Sequence, residues 1–228
     1  LDDPLRADAA SLQALTPEIL AMEFQVSQSN QLLGLEDRAK LLNRLGDTLL
    51  KQKHIFEAEG TFRPGNLFDY LTRSQVTGVL EARDILIAVL QGMGEIWPDG
   101  SWIDNVAIGD AGYHEVVKRS DITDGIVPFH KLSQWMSYSL IEPLQEAGFK
   151  VNNLDALTGL AEYRNGGLFI DTKAISLKDR TQLEVVHDPK SPLVVEWRAL
   201  TVVLLDKLAE KIRRSTNTDS GSMPLASI

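Results

Sequence analysis

Cysteine is absent from all 228 residues. Disulfides, thiolate metal sites and a thiol nucleophile are excluded together. The absence suits a reducing compartment, and a cytoplasmic location is expected. Long apolar runs are missing too. The most apolar stretch, Leu193–Leu205, is interrupted by Glu196 and Arg198, short of the roughly 20 residues a membrane span needs, so no membrane partner is expected. Positive charge is scarce: 23 Lys and Arg face 32 Asp and Glu, a net charge of −9. Binders of the nucleic-acid backbone need the opposite balance, so no nucleic-acid partner is expected. There is no glycine-rich phosphate loop, nucleophile elbow, histidine pair at helical spacing or calcium loop, hence no cofactor is assigned. His54, His114, His130 and His187 are scattered. A divalent metal held by His and carboxylates stays chemically open, but none is predicted. The chain opens at Leu1 with no Met and no signal-peptide pattern, as expected of a fragment or processed product.

What is present is helical periodicity. In Leu35–Lys51 the apolar residues Leu35, Ala39, Leu42, Leu45 and Leu49 form one stripe. Thr16-Pro17-Glu18 opens a helix expected to end near Ser29-Asn30. A turn at Arg63–Asn66 precedes a short helix, Leu67–Leu71, and Val79–Gln91 is a further helix stopped by Gly92 and Gly94. Trp97–Val127 lacks a sustained period and reads as a long ordered loop, with short strands at Val106–Ile108 and Glu115–Lys118. Pro128–Ala147 is a helix that Pro143 should kink or end. Leu168–Asp171 and Ala174–Leu177 form a small hairpin, and Ser191-Pro192 opens a last helix to about Arg213. The fold class is mainly α: one multi-helix domain over residues 1–214 with a long ordered loop and a small β-hairpin, followed by a polar tail, 215–228.

Three polar sets stand where the pattern favours apolar residues. In Phe129–Leu140, His130, Gln134 and Tyr138 fall at i, i+4 and i+8 on one helical face beside Trp135. They suit either the wall of a ligand cleft or a satisfied polar ladder to a neighbouring element. Leu157–Gly167 packs Glu162, Tyr163, Arg164 and Asn165 together, with Gly166-Gly167 permitting positive φ. Arg164 can grip a carboxylate or phosphate, Asn165 an amide or hydroxyl, and Glu162 can act as acid or base if buried. The alternative is a capped loop with an internal Glu–Arg pair. In the last helix, Glu196 and Arg198 are flanked by apolar residues, which argues against a plain solvated face. They diverge by about 160–200°, so each needs its own partner, and braces to Arg164 or to the loop acids are the plainer reading. Asp110 and His114 in Gly109–His114 are a fourth, weaker candidate.

The blocks FHKLSQWMSYSLIEPL (Phe129–Leu144), LTGLAEYRNGG (Leu157–Gly167) and SPLVVEWRALTVVLLD (Ser191–Asp206) resemble the signature blocks of the fungal and bacterial uracil-catabolism protein four family. FQVSQSN, GLEDRAKLLNRLG, FRPGNLFDYL and GEIWP extend the resemblance over nearly the whole chain. Two departures occur: Ala111–His114 replaces a Trp-Arg-His-like string, and Ala161 stands where Pro is usual. Family members extend beyond both ends of this chain. The resemblance implies a role in the pathway that ribosylates uracil and opens its ring to urea-type products. It carries over no catalytic residue.

The expected function is hydrolysis of a C–N bond, N-glycosidic or ureido, in a ribosylated ring-opened uracil intermediate, so the expected partner is a small pyrimidine-derived ligand. Glu162 or Asp110 would be the catalytic carboxylate. His130, Gln134, Trp135, Tyr138, Tyr163, Arg164, Asn165, Glu196 and Arg198 would bind substrate. The alternative is a non-catalytic helical binding or scaffold subunit of that pathway.

Overall fold

Short polar side chains decide where the first helices begin and end. The structure, a computed structural model, describes residues 6–73 and 77–228; residues 1–5, where the expected domain begins, lie outside the described residues. Asp8 accepts from Ser11 N–H at 2.9 Å and opens α1 (Ala9–Gln13). Thr16 Oγ1 accepts from Ile19 N–H at 3.3 Å and opens α2 (Pro17–Glu23). The second helix stops well short of Ser29. Gln25 takes a left-handed turn (φ 54°), and the Asn30 amide donates to the Phe24 and Gln25 carbonyls at 3.1 and 3.0 Å.

The apolar stripe becomes α3 (Leu35–Lys51), with the expected bounds. Asn43 on this helix donates to the carbonyls of Leu12 and Leu15 at 2.8 and 3.0 Å, answering the open C-terminal end of α1. Then follow α4 (Lys53–Phe56), the hairpin β1 (Glu57–Ala58) and β2 (Thr61–Phe62), and α5 (Asn66–Thr72). The buried Asn66 amide joins these pieces by donating to Phe56 O at 2.7 Å and Thr61 O at 3.1 Å.

Residues 79–81 are not helical. They form β3 (Val79–Glu81), and the helix α6 (Ala82–Met93) starts after it, with Gly92 inside rather than beyond its end. The Trp97–Val127 window holds two antiparallel hairpins: β4 (Ser101–Ile103) with β5 (Val106–Gly109), and β6 (Ala111–Tyr113) with β7 (Ile126–Pro128). The strand at Val106 is present. Glu115–Lys118 is not a strand, because His114 Nδ1 accepts Val116 N–H at 3.2 Å and turns the chain.

α7 (Lys131–Glu146) runs on past Pro143. β8 (Lys150–Asn152) pairs parallel to β3 and ties the end of α7 to the start of α6. The expected hairpin at 168–177 does not form; Leu168–Asp171 belongs to α8 (Tyr163–Asp171). α9 (Pro192–Thr216) is the longest element, and Ser191 precedes it in extended backbone without its hydroxyl making the cap bond. Beyond it the chain turns back: Arg213 Nε donates to Met223 O at 2.8 Å. Helix makes up 53 % of the described residues, and the strands among them are two to four residues long, so the mainly α class holds. No helix among the described residues is long and apolar enough to cross a membrane.

The core centres on α6. Ile85 and Val89 are fully buried against Leu49, Ile55, Phe56 and Leu80, and burial of each large side chain contributes on the order of 1.5–3 kcal/mol.

Candidate functional site

Asp110 sits between β5 and β6 and organises the start of α7. Its backbone carbonyl accepts the N–H groups of Phe129 and His130 at 3.0 and 2.9 Å. Its carboxylate accepts Lys131 N–H at 3.1 Å, capping α7 from a residue 21 positions away. Arg198 of α9 completes the arrangement with a two-pronged pair to both carboxylate oxygens, at 2.9 and 2.6 Å, while its guanidinium lies 3.9 Å from the centre of the Phe129 ring. Burial pushes the Asp110 carboxyl up. The Arg198 hydrogen bonds and charge, with the Lys131 N–H, outweigh it and hold the carboxyl below the usual range. Asp110 is therefore an anion at neutral pH and no proton donor.

His130 does not share a helical face with Gln134 and Tyr138. It stands before the helix in left-handed backbone (φ 49°), a conformation uncommon outside glycine. Its Nδ1 is buried with no partner among the described residues. Burial lowers its pKa, Asp110 opposing in part, and the ring is neutral at pH 7.

Gln134 and Tyr138 realise the ladder. Gln134 is buried, and its side-chain oxygen accepts Thr158 N–H at 3.2 Å. The Tyr138 hydroxyl donates to Thr158 O at 3.2 Å. Both grip the Leu157–Ala161 segment rather than face open space. Burial, with the charges of Asp155 and Asp206 adding, pushes the Tyr138 phenol up to about 12. A raised folded value means that the stabilisation is complete below the ordinary phenol pKa near 10 and is lost as pH rises through 12. In a 295 nm titration a step near pH 12 is expected, and Tyr138→Phe removes it. A titration that is the same in the parent and in Tyr138→Phe at that pH would contradict the buried placement.

The second set is not a glycine-bounded loop. Gly166 and Gly167 lie inside α8 with ordinary negative φ, Asn165 donates to Leu160 O at 3.2 Å, and Tyr163 and Arg164 are exposed, the guanidinium 5.8 Å from the Tyr163 ring centre. Glu162 pairs with Lys131 Nζ at 3.1 Å. Arg198 has found a loop acid, but Glu196 is solvent-exposed. Apolar neighbours misled here, since Leu193, Leu200 and Val203 of the same helix are exposed as well. Trp135 is 60 % exposed.

A cleft of about 320 Å³ opens at the N-terminal end of α7. The turn Trp97–Gly100 forms one wall, and Asp110 with Lys131, Leu132 and Ser133 the other. A second groove, about 310 Å³ between α5 and α7, is lined by apolar residues and glycine alone and offers no group for bond-making chemistry. Among the described residues no three His, Asp or Glu side chains converge as metal ligands. Of the expected site residues, the structure joins Asp110, Arg198, His130 and, through Lys131, Glu162 into one cluster. Gln134, Tyr138 and Asn165 serve as braces, and Tyr163, Arg164, Trp135 and Glu196 stand apart at the surface.

Residues 1–228 match the family described as "Protein of unknown function (DUF1688)". The chain belongs to this family. It is 36 % identical to "Uracil catabolism protein 4" of Lachancea kluyveri over 244 residues, covering 96 % of this chain and 55 % of that protein. It is 40 % identical to "Protein urg3" of Schizosaccharomyces pombe over 208 residues, covering 89 % and 47 % respectively. The chain thus spans about half the length of the curated relatives it matches. No solved structure matches it. In this DUF1688 chain Lys131, Ser133 and the Trp97–Gly100 turn line the cleft without any sequence signal of their own. Lys131 and Ser133 stand inside the quoted FHKLSQ block, but a four-residue ladder counted from His130 steps over both.

Proposed function

We propose that this chain serves uracil catabolism, and that the cleft at the start of α7 receives a ribosylated, urea-type product of ring opening and cleaves its N-glycosidic C–N bond. The pathway rests on the name of the Lachancea kluyveri relative. The site rests on one observation: an ionised carboxylate, Asp110, in the wall of a sugar-sized cleft. In the balanced reaction water adds its hydroxyl to the anomeric carbon, the C–N bond breaks, and the leaving urea nitrogen takes the proton, giving ribose and urea. The transition state carries positive charge on the sugar ring, and a fixed anion stabilises it more than the neutral substrate. Arg198 and the Lys131 N–H hold Asp110 in place, the Trp97 side supplies an aromatic wall, and Glu162 positions Lys131. Asp110 is favoured over Glu162 as the reacting carboxylate because it lines the cleft.

The test is release of free ribose and urea from ribosylurea. Asp110→Asn keeps the side-chain volume and removes the charge, and kcat/KM is expected to fall about 10²–10³-fold. Near-full activity in that variant sinks the role. A non-catalytic binding subunit is the second reading. It is favoured by the use of Asp110, Gln134 and Tyr138 in hydrogen bonds within the protein, and ligand-induced thermal stabilisation without turnover would establish it.

A further inference from the structure

The first turn of α7 holds more donors than the protein uses. Lys131 N–H goes to Asp110 at 3.1 Å and Gln134 N–H to the His130 carbonyl at 2.7 Å. Among the described residues, the N–H groups of Leu132 and Ser133 between them have no acceptor. The positive end of a 16-residue helix therefore faces the cleft that Lys131, Leu132 and Ser133 line. A helix end alone specifies no ligand. The independent observation is the Ser133 hydroxyl.

Ser133 is only 4 % exposed and lines the cleft. Ser137 and Ser139 on the same helix both donate to the carbonyl four residues back, at 2.8 and 3.1 Å. Ser133, in the first turn where the residue four back lies outside the helix, makes no side-chain hydrogen bond among the described residues. The Ser133 side chain is buried except where its hydroxyl reaches the cleft, so this unused donor and acceptor marks where a ligand atom belongs. Lys131 Nζ adds a cationic donor at the same turn, held by Glu162 at 3.1 Å.

We propose that this end of the cleft binds a tetrahedral oxyanion, the phosphate of a sugar phosphate, through the Leu132 and Ser133 N–H groups, the Ser133 hydroxyl and Lys131. The proposal rests on the ribosyl-substrate reading above and names its substrate as the phosphorylated form. Asp110 stands in the same wall, and the paired Arg198 at 2.9 and 2.6 Å offsets part of its repulsion of a phosphate. Asp99, on the exposed turn opposite, can swing to solvent, and Glu162 is the negative group that competes for Lys131 at 3.1 Å. Two amides, a hydroxyl and an ammonium approach from more directions than a planar carboxylate can use, which favours phosphate.

The experiment is a titration of the chain with inorganic phosphate at constant ionic strength, followed by the amide resonances of Leu132 and Ser133, with acetate and ribose 5-phosphate as parallel arms. Phosphate is expected to move both resonances, ribose 5-phosphate to bind more tightly, and acetate to bind more weakly. Ser133→Ala is expected to weaken phosphate binding at least about tenfold with an unchanged melting temperature, since it breaks no hydrogen bond of the protein. Glu162→Gln frees Lys131 and is expected to tighten binding a few-fold. Glu196→Gln, an equal charge change on an exposed face, leaves it as it was.

Acetate binding as tight as phosphate, or Ser133→Ala binding as the parent does, overturns the proposal. So does silence at both amides. Phosphate binding without ribosylurea turnover upholds the subsite while the hydrolase reading fails. Turnover that ignores phosphorylation, with no phosphate binding, does the reverse.

Discussion

Arg198→Met is expected to lower the stability of the chain by about 2–3 kcal/mol at pH 7. Breaking a buried ion pair by removing one partner costs roughly 3–5 kcal/mol. The side chains here are 19 % and 32 % exposed, so water recovers part of that. The substitution leaves Asp110 charged and short of two hydrogen bonds, and it strips the cation from the Phe129 face. Met retains much of the aliphatic stem, so the loss reports mainly on the guanidinium. The pH dependence identifies the partner. Asp110 has a folded pKa below its unfolded value of about 3.9. Its contribution is therefore complete above pH 4 and disappears as pH falls through the lower folded value. Urea midpoints of the two proteins should be well separated at pH 7 and converge toward pH 2. A separation that persists unchanged at low pH would assign the loss to packing instead of the pair.

Gly166→Ala and Gly167→Ala are expected to move stability in opposite directions, although the two residues are neighbours in one helix. Replacing a helix-interior glycine with alanine ordinarily stabilises by about 1 kcal/mol, and neither glycine has the positive φ that would forbid it. At Gly167 a new Cβ meets nothing within 4 Å, so the full gain of about 0.5–1 kcal/mol is expected. At Gly166 the same atom would lie 2.6 Å from Nε1 of Trp197 and 2.7–2.8 Å from carbons of its ring. An indole is rigid, so α8 must shift from α9 or Trp197 must turn, at a cost of about 1–3 kcal/mol. Thermal melts of the two variants give the comparison. A stabilised Gly166→Ala would mean that α8 and α9 are not seated this closely. The separation also bears on the cleft, because α8 begins beside Glu162, the partner of Lys131.

The same glycines show how far the sequence was legible. Two adjacent glycines after Asn165 invite a loop, since glycine carries the lowest helix propensity short of proline. The packing of Trp197 required the absence of a side chain at 166, and that requirement came from an element about 30 positions away. Val79–Glu81 went the same way. An apolar start to an amphipathic stretch reads as helix until a strand 71 positions later, Lys150–Asn152, supplies the hydrogen-bond partners. Counting in fours places His130 on the helix, whereas the Phe129 and His130 N–H groups both go to the Asp110 carbonyl and the helix begins only at Lys131.

What the sequence determined by itself is whatever is settled within a turn or so of chain. Thr16-Pro17 started α2, the stripe from Leu35 to Leu49 formed α3, Pro192 opened α9, and the absence of cysteine excluded disulfides and thiolate chemistry. Caps and stripes act over three or four residues, where residue type and spacing are the geometry. Only the tertiary structure decided which polar groups meet. Asp110 and Arg198 are 88 positions apart and Lys131 meets Glu162 across 31 positions (162 − 131), while Gln134 and Tyr138, with the spacing of a binding face, became braces to Thr158. Hydrogen bonds and ion pairs depend on ångström distances, and over tens of residues those distances are set by how the helices pack.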